Sequence, residues 1–393
     1  MLATAATGCS SSAPAARSPE PTTTTTSSLA WAGTDDGFYE VPDPLPPGEP
    51  GDLLRVQRVG EADGHITERV MYRTVDATGA DRAATGLITY PEASPPADGW
   101  PVVSTAHGTT GIAAPCAPSR TVAAAPGWGV DGVWAMTDYI GLGPVGERHA
   151  YLSKVDEGNA VIDIVRASRQ LPAAHAGDRW VAVGHSQGGH GALAAHELAA
   201  EHAPELRLVA TVALAPAALL DRVYGGIDPI VTTILTMMGA YGAQDEVPAM
   251  DPGRYLTDDA LQAAAVFDTG CLGEITEALI PVAAAGAFTA DPRDTEPARS
   301  LILDNDVGSV AVDGVPLLLA SGTDDDRVVI DRFRDTVDRV CRSGQVAEVE
   351  VVPGATHDSI IGAMADRVAT FLEGALAGEA PQDDCPDLLA AAG

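Results

Sequence analysis

Basic residues are scarce in this chain of 393 residues. Arginine and lysine together number 23 against 55 aspartates and glutamates, Lys154 is the single lysine, and the formal net charge is −32. A surface of that sign repels the phosphates of nucleic acids and of anionic membranes. We therefore expect no nucleic-acid partner, and we interpret the acidity as a contribution to solubility.

Long apolar runs are also lacking. The most apolar stretch, IDPIVTTILTMMGAYG at 227–242, contains an aspartate, a proline and three threonines. It is shorter than the ~20 apolar residues that a membrane-spanning helix needs. We predict that it forms a helix buried within the protein.

Cysteines are few, and their spacing is not that of metal ligands. Apart from Cys9 there are four, with no CxxC pair and no clustered histidine: Cys116, Cys271, Cys341 and Cys385. A zinc site is therefore not expected, and no metal or organic cofactor is predicted. An even number in an exported chain favours two disulfides, for which three pairings are possible.

The first thirty residues differ in composition from the rest. Serine, threonine, proline and alanine dominate residues 1–30, so this segment cannot bury enough apolar surface to fold. The residues ATGC that end at Cys9 resemble the lipobox of bacterial lipoproteins, although a basic and apolar signal sequence does not precede them. We expect a secreted or cell-surface protein, with membrane anchoring through a lipidated Cys9 left open.

The remaining chain predicts an α/β protein. Strand-like runs with period-two alternation, such as HITERVMYRTV at 65–75, come first, and strands then alternate with helical patterns. This order favours a mostly parallel sheet with helices on both faces.

The alternation lapses between residues 217 and 307, where helical patterns dominate before the strand VPLLLASG. Such an insertion predicts a helical cap over the carboxyl ends of the strands, where open α/β sheets bind ligands. We therefore divide the chain into a leader and tether at 1–30, a core at 31–216 and 308–393, and a cap at 217–307.

One short motif predicts a nucleophile. GHSQG at 184–188 matches Gly-x-Ser-x-Gly, in which serine occupies a sharp turn between a strand and a helix. An apolar strand precedes the motif and a helix-compatible stretch follows it, so we predict Ser186 as the nucleophile of an α/β-hydrolase fold. The alternative is an incidental serine in a tight turn.

Chain order selects the partners of this serine. In the α/β-hydrolases the order is Ser, acid, His, and His357 is the single histidine beyond residue 202. The loop SGTDDDRVV follows the strand that resumes the sheet, and spacing from Gly322 favours Asp325 over Asp324 and Asp326 as the acid. His185 and His190 flank the serine, and we predict packing roles for both.

A developing oxyanion requires backbone N–H donors. We predict the amide of Gln187, the residue after the nucleophile, as one donor. The second is expected from HGTTG at 107–111, where Thr109 is the first choice and Thr110 the next. The alternative for this loop is an ordinary turn at a strand end.

Longer motifs carry a resemblance to a known family. From about Gly37 to the last cysteine, the segments AHGTTGIAAPCAPS, DYIGLGPVGERHAYL and GHSQGGHGALAAHE resemble the secretory lipase family. These are α/β-hydrolases related to the fungal lipase A type, and the likeness is greatest to actinobacterial members. The fungal members carry an acidic residue in the oxyanion loop, where this chain has threonines.

The resemblance implies a carboxylic ester hydrolase, either a triacylglycerol lipase or a carboxylesterase, whose helical cap shapes the acyl tunnel. It places the triad on Ser186, Asp325 and His357. It also implies disulfides that join Cys116 to Cys271 and Cys341 to Cys385.

These inferences combine into one functional expectation. We expect a monomeric serine ester hydrolase that acts through an acyl-enzyme on fatty-acyl or other apolar esters, with a small-molecule or lipid ester as substrate. The apolar stretch at 227–242 inclines us towards medium or long acyl chains. A peptidase or acyltransferase with the same triad, and a non-catalytic surface lipoprotein, are the alternatives.

Overall fold

A computed structural model of the chain describes residues 29–223 and 229–392. Cys9 and residues 1–28 of the predicted tether lie outside the described residues, so both predictions remain untested.

The described residues contain a nine-stranded sheet in the order β1-β2-β3-β5-β4-β6-β7-β8-β9. In chain order the strands are β1 Leu53–Ala62, β2 His65–Val75, β3 Asp81–Pro91, β4 Trp100–Ala106, β5 Val133–Ile140, β6 Ala176–His185, β7 Arg207–Leu214, β8 Leu317–Gly322 and β9 Ala347–Val352.

The sheet is antiparallel at one side and parallel over the rest. Strands β1, β2, β3 and β5 pair antiparallel in that order. From β5 onward through β4, β6, β7, β8 and β9 every pair is parallel. These pairings confirm the prediction of a mostly parallel sheet. Parallel neighbours need crossover connections, and helices connect most of these strands.

The helices are α1 Lys154–Arg169, α2 Gln187–His202, α3 Leu220–Val223, α4 Pro229–Gly242, α5 Asp258–Ala263, α6 Leu272–Ala285, α7 Ala298–Asp304, α8 Ile330–Arg342, α9 Ser359–Ala363, α10 Ala365–Ala377 and α11 Cys385–Ala392.

Alternate side chains of the central strands pack on opposite faces of the sheet. Val102 of β4 and Trp180 of β6 are buried in a cluster with residues of α1. The next residues along each strand, Val103 and Val181, are buried in a second cluster that includes Phe371 of α10. Since side chains alternate across a strand, the two clusters identify a sheet covered by helices on both faces.

Helices α3 to α7 all lie within 217–307, the segment predicted as a cap. Within α4, Met237 and Met238 are fully buried and pack in one cluster with Leu279 of α6 and Leu152 of the core. This helix accounts for the apolar stretch predicted at 227–242 from residue 229 onward. Among the described helices, none is both long enough and apolar enough to cross a membrane.

Two disulfides fasten peripheral segments to the core. Cys116, in a short helical turn after β4, is bonded to Cys271 at the start of α6. Cys341 in the last turn of α8 is bonded to Cys385 at the start of α11. The pairing is the one that the family resemblance implies.

A buried carboxylate holds α1 against α2. Glu157 of α1 is fully buried, and its Oε2 accepts a hydrogen bond from Nδ1 of His190 at 2.6 Å. Its Oε1 accepts from Nε2 of Gln187 at 2.8 Å and from the amide of Leu152 at 3.0 Å. Burial opposes ionisation of Glu157, but the charge of His190 and its hydrogen bond outweigh burial and lower the pKa of Glu157 to about 2.

His190 is the positive partner in this pair. Its Nδ1 faces the Glu157 carboxylate, and its Nε2 lies 2.8 Å from the carbonyl oxygen of Asn305. A neutral imidazole has one N–H, so two bonds to oxygen acceptors require the imidazolium form. Burial lowers the pKa of His190, but the Glu157 charge outweighs burial and raises it.

The same network fixes the side chain of Gln187. Nδ1 of His149 donates to the carbonyl of Ile140 at 2.9 Å, which leaves its Nε2 as an acceptor. Nε2 of Gln187 donates one hydrogen to that nitrogen at 2.7 Å and the other to Glu157. The side chain of Gln187, which follows Ser186, is therefore fixed by a hydrogen bond to the buried Glu157–His190 pair.

We predict that Glu157→Gln lowers the free energy of unfolding by about 3–5 kcal/mol, because it leaves the His190 cation buried without its counter-charge. Chemical denaturation measures this difference, and Glu201→Gln, which changes an exposed carboxylate on α2, serves as the control.

The difference should also depend on pH. The contribution of Glu157 is present above its ordinary pKa of 4.5 and is lost as the pH falls towards about 2. The contribution of His190 is complete below its ordinary pKa of 6.5 and is lost as the pH rises through its higher folded value. The effect should be largest between these two ordinary values, and a difference that does not vary with pH would contradict the ion pair.

Candidate active site

Ser186 occupies the turn between β6 and α2. Its φ is 60° and its ψ is −119°, backbone angles that non-glycine residues rarely adopt. The amide of Ser186 donates to the carbonyl of Leu214 at 2.9 Å, and its own carbonyl accepts from the amides of His190 and Ala217. These bonds hold the strained residue at the carboxyl end of the parallel strands.

The two glycines of the motif are required by close backbone contacts. A Cβ on Gly184 would lie 1.9 Å from the carbonyl oxygen of Gly188. A Cβ on Gly188 would lie 1.9 Å from the carbonyl oxygen of Ala106 in β4. Neither position has room for a side chain, because the strand, the turn and the helix approach within van der Waals contact.

Of the three aspartates in the loop after β8, Asp325 contacts His357. Nδ1 of His357 lies 3.0 and 2.8 Å from the two carboxylate oxygens, and both residues are buried. Oδ1 of Asp325 also accepts from the amides of Arg327 and Val328 at 2.9 and 2.7 Å. Burial raises the pKa of Asp325, but His357 and these amides outweigh burial and lower it. Asp324 and Asp326 are exposed.

His357 and Ser186 line a common cavity of about 840 Å³. The contact with Asp325 fixes the hydrogen of the His357 ring on Nδ1, which leaves Nε2 as an acceptor. Within the described part of the chain, the Ser186 hydroxyl makes no hydrogen bond. Catalytic hydrogen bonds in unliganded enzymes are often long and tighten when substrate binds.

His185 supports His357 from the side. Its Nε2 donates to the carbonyl oxygen of His357 at 2.7 Å, and the two rings lie with their centroids 4.6 Å apart. Burial, followed by the nearby His357, lowers the pKa of His185 to about 4, so the ring is neutral at neutral pH. Both histidines beside the serine, His185 and His190, thus make structural contacts.

The loop His107–Gly111 passes beside the serine. A Cβ on Gly108 would lie 4.0 Å from the Cβ of Ser186. The hydroxyl of Thr109 lies 2.8 Å from that of Tyr151, and among the described residues no backbone acceptor binds the Thr109 amide. Gln187 is the first residue of α2, and the first amides of a helix have no partner within it.

The wall opposite the serine comes from the segment 217–307. The side of α4 that faces the cavity carries Val231, Thr232 and Leu235, and α6 contributes Leu272 and Thr276. The site is therefore a mainly apolar chamber with a few polar groups, which is typical of small-molecule sites. Among the described residues, no group of three or more His, Cys, Asp or Glu could hold a metal ion.

Sequence reasoning missed the residues that support this site. The sequence does contain an indication for Glu157. Val161 and Ile164 follow it on the same buried face of α1, and a buried charge in that position needs a partner. His149 and Tyr151 lie in the segment DYIGLGPVGERHAYL, whose resemblance to the family indicates a role for neither. Nothing in the sequence distinguishes Arg332, which also lines the cavity, from the other charged residues of α8.

Comparison with solved structures agrees with this fold. Candida antarctica lipase A in its closed state has a TM-score of 0.73 at 18% identity, covering 88% of this chain and 87% of that one. The rice cell wall degrading esterase LipA from Xanthomonas oryzae has a TM-score of 0.69 at 17% identity, covering 85% of this chain and 100% of that one. At these identities the likeness establishes the α/β-hydrolase fold alone.

Sequence comparison establishes the family. No curated protein matches the chain. The model of the secretory lipase family, in contrast, matches residues 125–381, which is more than half of the chain and includes the serine turn, the Asp325 loop and His357. The chain therefore belongs to the secretory lipase family and is a carboxylic ester hydrolase.

Proposed function

We propose that Ser186, His357 and Asp325 are the catalytic triad and that ester hydrolysis proceeds through an acyl-enzyme. The observation that carries this proposal is the buried contact between Asp325 and Nδ1 of His357, at 2.8 Å, in a cavity that Ser186 also lines. A serine hydroxyl becomes a nucleophile when a base removes its proton, and this contact keeps Nε2 of His357 ready to do so.

The reaction divides into two acyl transfers. The Ser186 oxygen attacks the ester carbonyl while His357 takes its proton, and His357 then returns that proton to the departing alcohol. Water attacks the acyl-enzyme in the second step by the same proton route and releases the acid. Asp325 orients the ring and stabilises the imidazolium that forms in each step.

The oxyanion of each tetrahedral intermediate is held by the backbone amides of Gln187 and Thr109. Neither amide has an intrahelical or backbone partner among the described residues, and both belong to segments that adjoin Ser186. Each such donor contributes about 3 kcal/mol to the transition state. The buried Glu157 pair holds the Gln187 side chain and so keeps its amide in position.

Residues 217–307 act as a cap that binds the acyl chain, between core segments at 31–216 and 308–393. The apolar side chains of Val231, Leu235 and Leu272 line the cavity, and burial of each methylene adds ~0.8 kcal/mol to acyl binding. Fatty-acyl and other apolar esters are therefore the substrates, with a preference for medium or long chains.

The family and the two disulfides indicate a secreted protein, because disulfides persist in oxidising compartments. Lipidation of Cys9, which would anchor the protein to a membrane surface, is a further proposal, and mass spectrometry of the exported protein tests it. The chain is proposed to act as a monomer.

We expect Ser186→Ala to lower kcat for nitrophenyl esters at least about ten-thousand-fold, because the nucleophile is removed. Covalent labelling by a fluorophosphonate should map to Ser186 and disappear in His357→Ala. Ser300→Ala, which changes an exposed serine of α7, is the matched control and should retain both properties. Activity near that of the unmodified enzyme in Ser186→Ala would refute the triad.

A second prediction concerns the disulfide Cys116–Cys271, which joins the oxyanion loop to α6. Replacing both cysteines by alanine should lower kcat/KM by about tenfold or more, because small displacements of catalytic groups are costly. Replacing Cys341 and Cys385 should cost about 4 kcal/mol of stability, on the chain-entropy model for a separation of 44 residues, with activity of the folded enzyme retained. Equal activities of the two variants would show that the Cys116–Cys271 disulfide does not hold the oxyanion loop in its active geometry.

A further inference from the structure

Arg332 is a buried cation that forms no direct ion pair within the described part of the chain. Burial lowers its pKa, and the nearby Asp325 carboxylate partly offsets this effect. It lies in the first turn of α8 and is 7% exposed. Its Nη2 donates to the carbonyl oxygen of Arg327 at 3.0 Å, while its buried Nε has no hydrogen-bond partner. Among the described residues, no carboxylate forms an ion pair with its guanidinium group.

Arg73 also has a buried Nε that forms no hydrogen bond to any described residue, so what distinguishes Arg332 from it is the missing ion pair. Arg73, whose side chain is 3% exposed, pairs with Asp81 at 2.7 Å. On α8 itself, Arg334 pairs with Asp331 at 3.1 Å and Arg339 pairs with Asp306. Acidic residues outnumber basic ones 55 to 23, so counter-charges are abundant in this protein.

The position of Arg332 offers a reason for the missing partner. It lines the same cavity as Ser186 and His357. Burial lowers its pKa to about 10, which leaves it charged at neutral pH. An unpaired buried guanidinium is costly unless a bound group completes its hydrogen bonds, and carboxylates match its planar N–H groups.

We propose that Arg332 binds a carboxylate carried by the ester substrate, so that this enzyme accepts anionic esters in addition to neutral apolar ones. The inference rests on the proposed function, because it concerns the substrate of the same serine. It requires no new chemistry: the carboxylate is bound and the ester bond is the one cleaved. The net charge of −32 disfavours anions in general, so acceptance of one requires a local cation.

A different role for Arg332 is to position the Asp325 loop through its bond to the Arg327 carbonyl. That role affects every ester alike, because it acts on the triad. Recognition of a carboxylate affects only esters that carry one. Two esters that differ in a single group therefore separate the alternatives.

Monoethyl adipate and ethyl hexanoate form such a pair, because they share the acyl length and the ethyl group and differ in a terminal carboxylate or methyl. We would measure kcat/KM for both at low ionic strength by chromatography of the released acid. For the unmodified enzyme, kcat/KM for the anionic ester should be at least about one-tenth of the value for the neutral ester. Arg332 supplies a charged hydrogen bond to the carboxylate, and an enzyme without that bond would lose about a further tenfold on the anionic ester. A lower ratio overturns the proposal without any variant.

Arg332→Gln should lower kcat/KM for monoethyl adipate by at least about tenfold while ethyl hexanoate changes by less than about threefold. Arg332→Lys, which keeps the charge, should retain part of the anionic activity. Arg334→Gln, the exposed arginine two residues along the same helix, is the matched control and should change neither ester.

Equal losses on both esters in Arg332→Gln would show that Arg332 positions the triad loop, and no loss on either would show that it binds nothing in the cavity. Both results overturn the proposal. Hydrolysis of ethyl hexanoate by Ser186→Ala would instead refute the proposed triad, so the two failures are distinguishable.

Discussion

The turn at Ser186 depends on a pair of opposite charges that is fully buried. Glu157 and His190 belong to helices α1 and α2, which lie side by side on one face of the sheet. Removal of either charge leaves the other in a medium of low dielectric constant, so the two helices are constrained to one relative position. Gln187 shares the Glu157 carboxylate, and the constraint therefore reaches the residue that follows the serine.

The same pair also contacts the segment 217–307. His190 also donates to the carbonyl of Asn305, just after α7, and the amide of Lys154 donates to the side chain of that asparagine at 2.8 Å. On the other side of the cavity, the amide of Leu272 donates to the carbonyl of Thr110 at 2.8 Å, next to the disulfide Cys116–Cys271. The segment 217–307 is thus joined to the rest of the described chain near Ser186 through Asn305 and at the loop His107–Gly111 through Leu272.

The sequence predicted those features that arise from short stretches of chain. The strands, the Gly-x-Ser-x-Gly turn and the order of Ser186, Asp325 and His357 each follow from local patterns or from order along the chain. The Glu157 pair and the environment of Arg332 depend on how helices that are distant in sequence pack together, which a periodicity does not specify. Choosing Asp325 among three adjacent aspartates used loop spacing, and its contact with His357 became visible only in the folded chain.

Electrostatics gives the acidic composition a role in the reaction. Hydrolysis converts a neutral ester into a carboxylate, and a net charge of −32 favours departure of that anion from the protein. The same field opposes the negative charge of the oxyanion, so the stabilising dipoles and charges must lie close to it. In the proposed mechanism, the amides of Gln187 at the start of α2 and of Thr109 meet this need at short range, where burial weakens screening by solvent. The acidic surface and these short-range donors are therefore complementary: the donors stabilise negative charge at the reacting carbonyl, and the surface disfavours return of the anionic product.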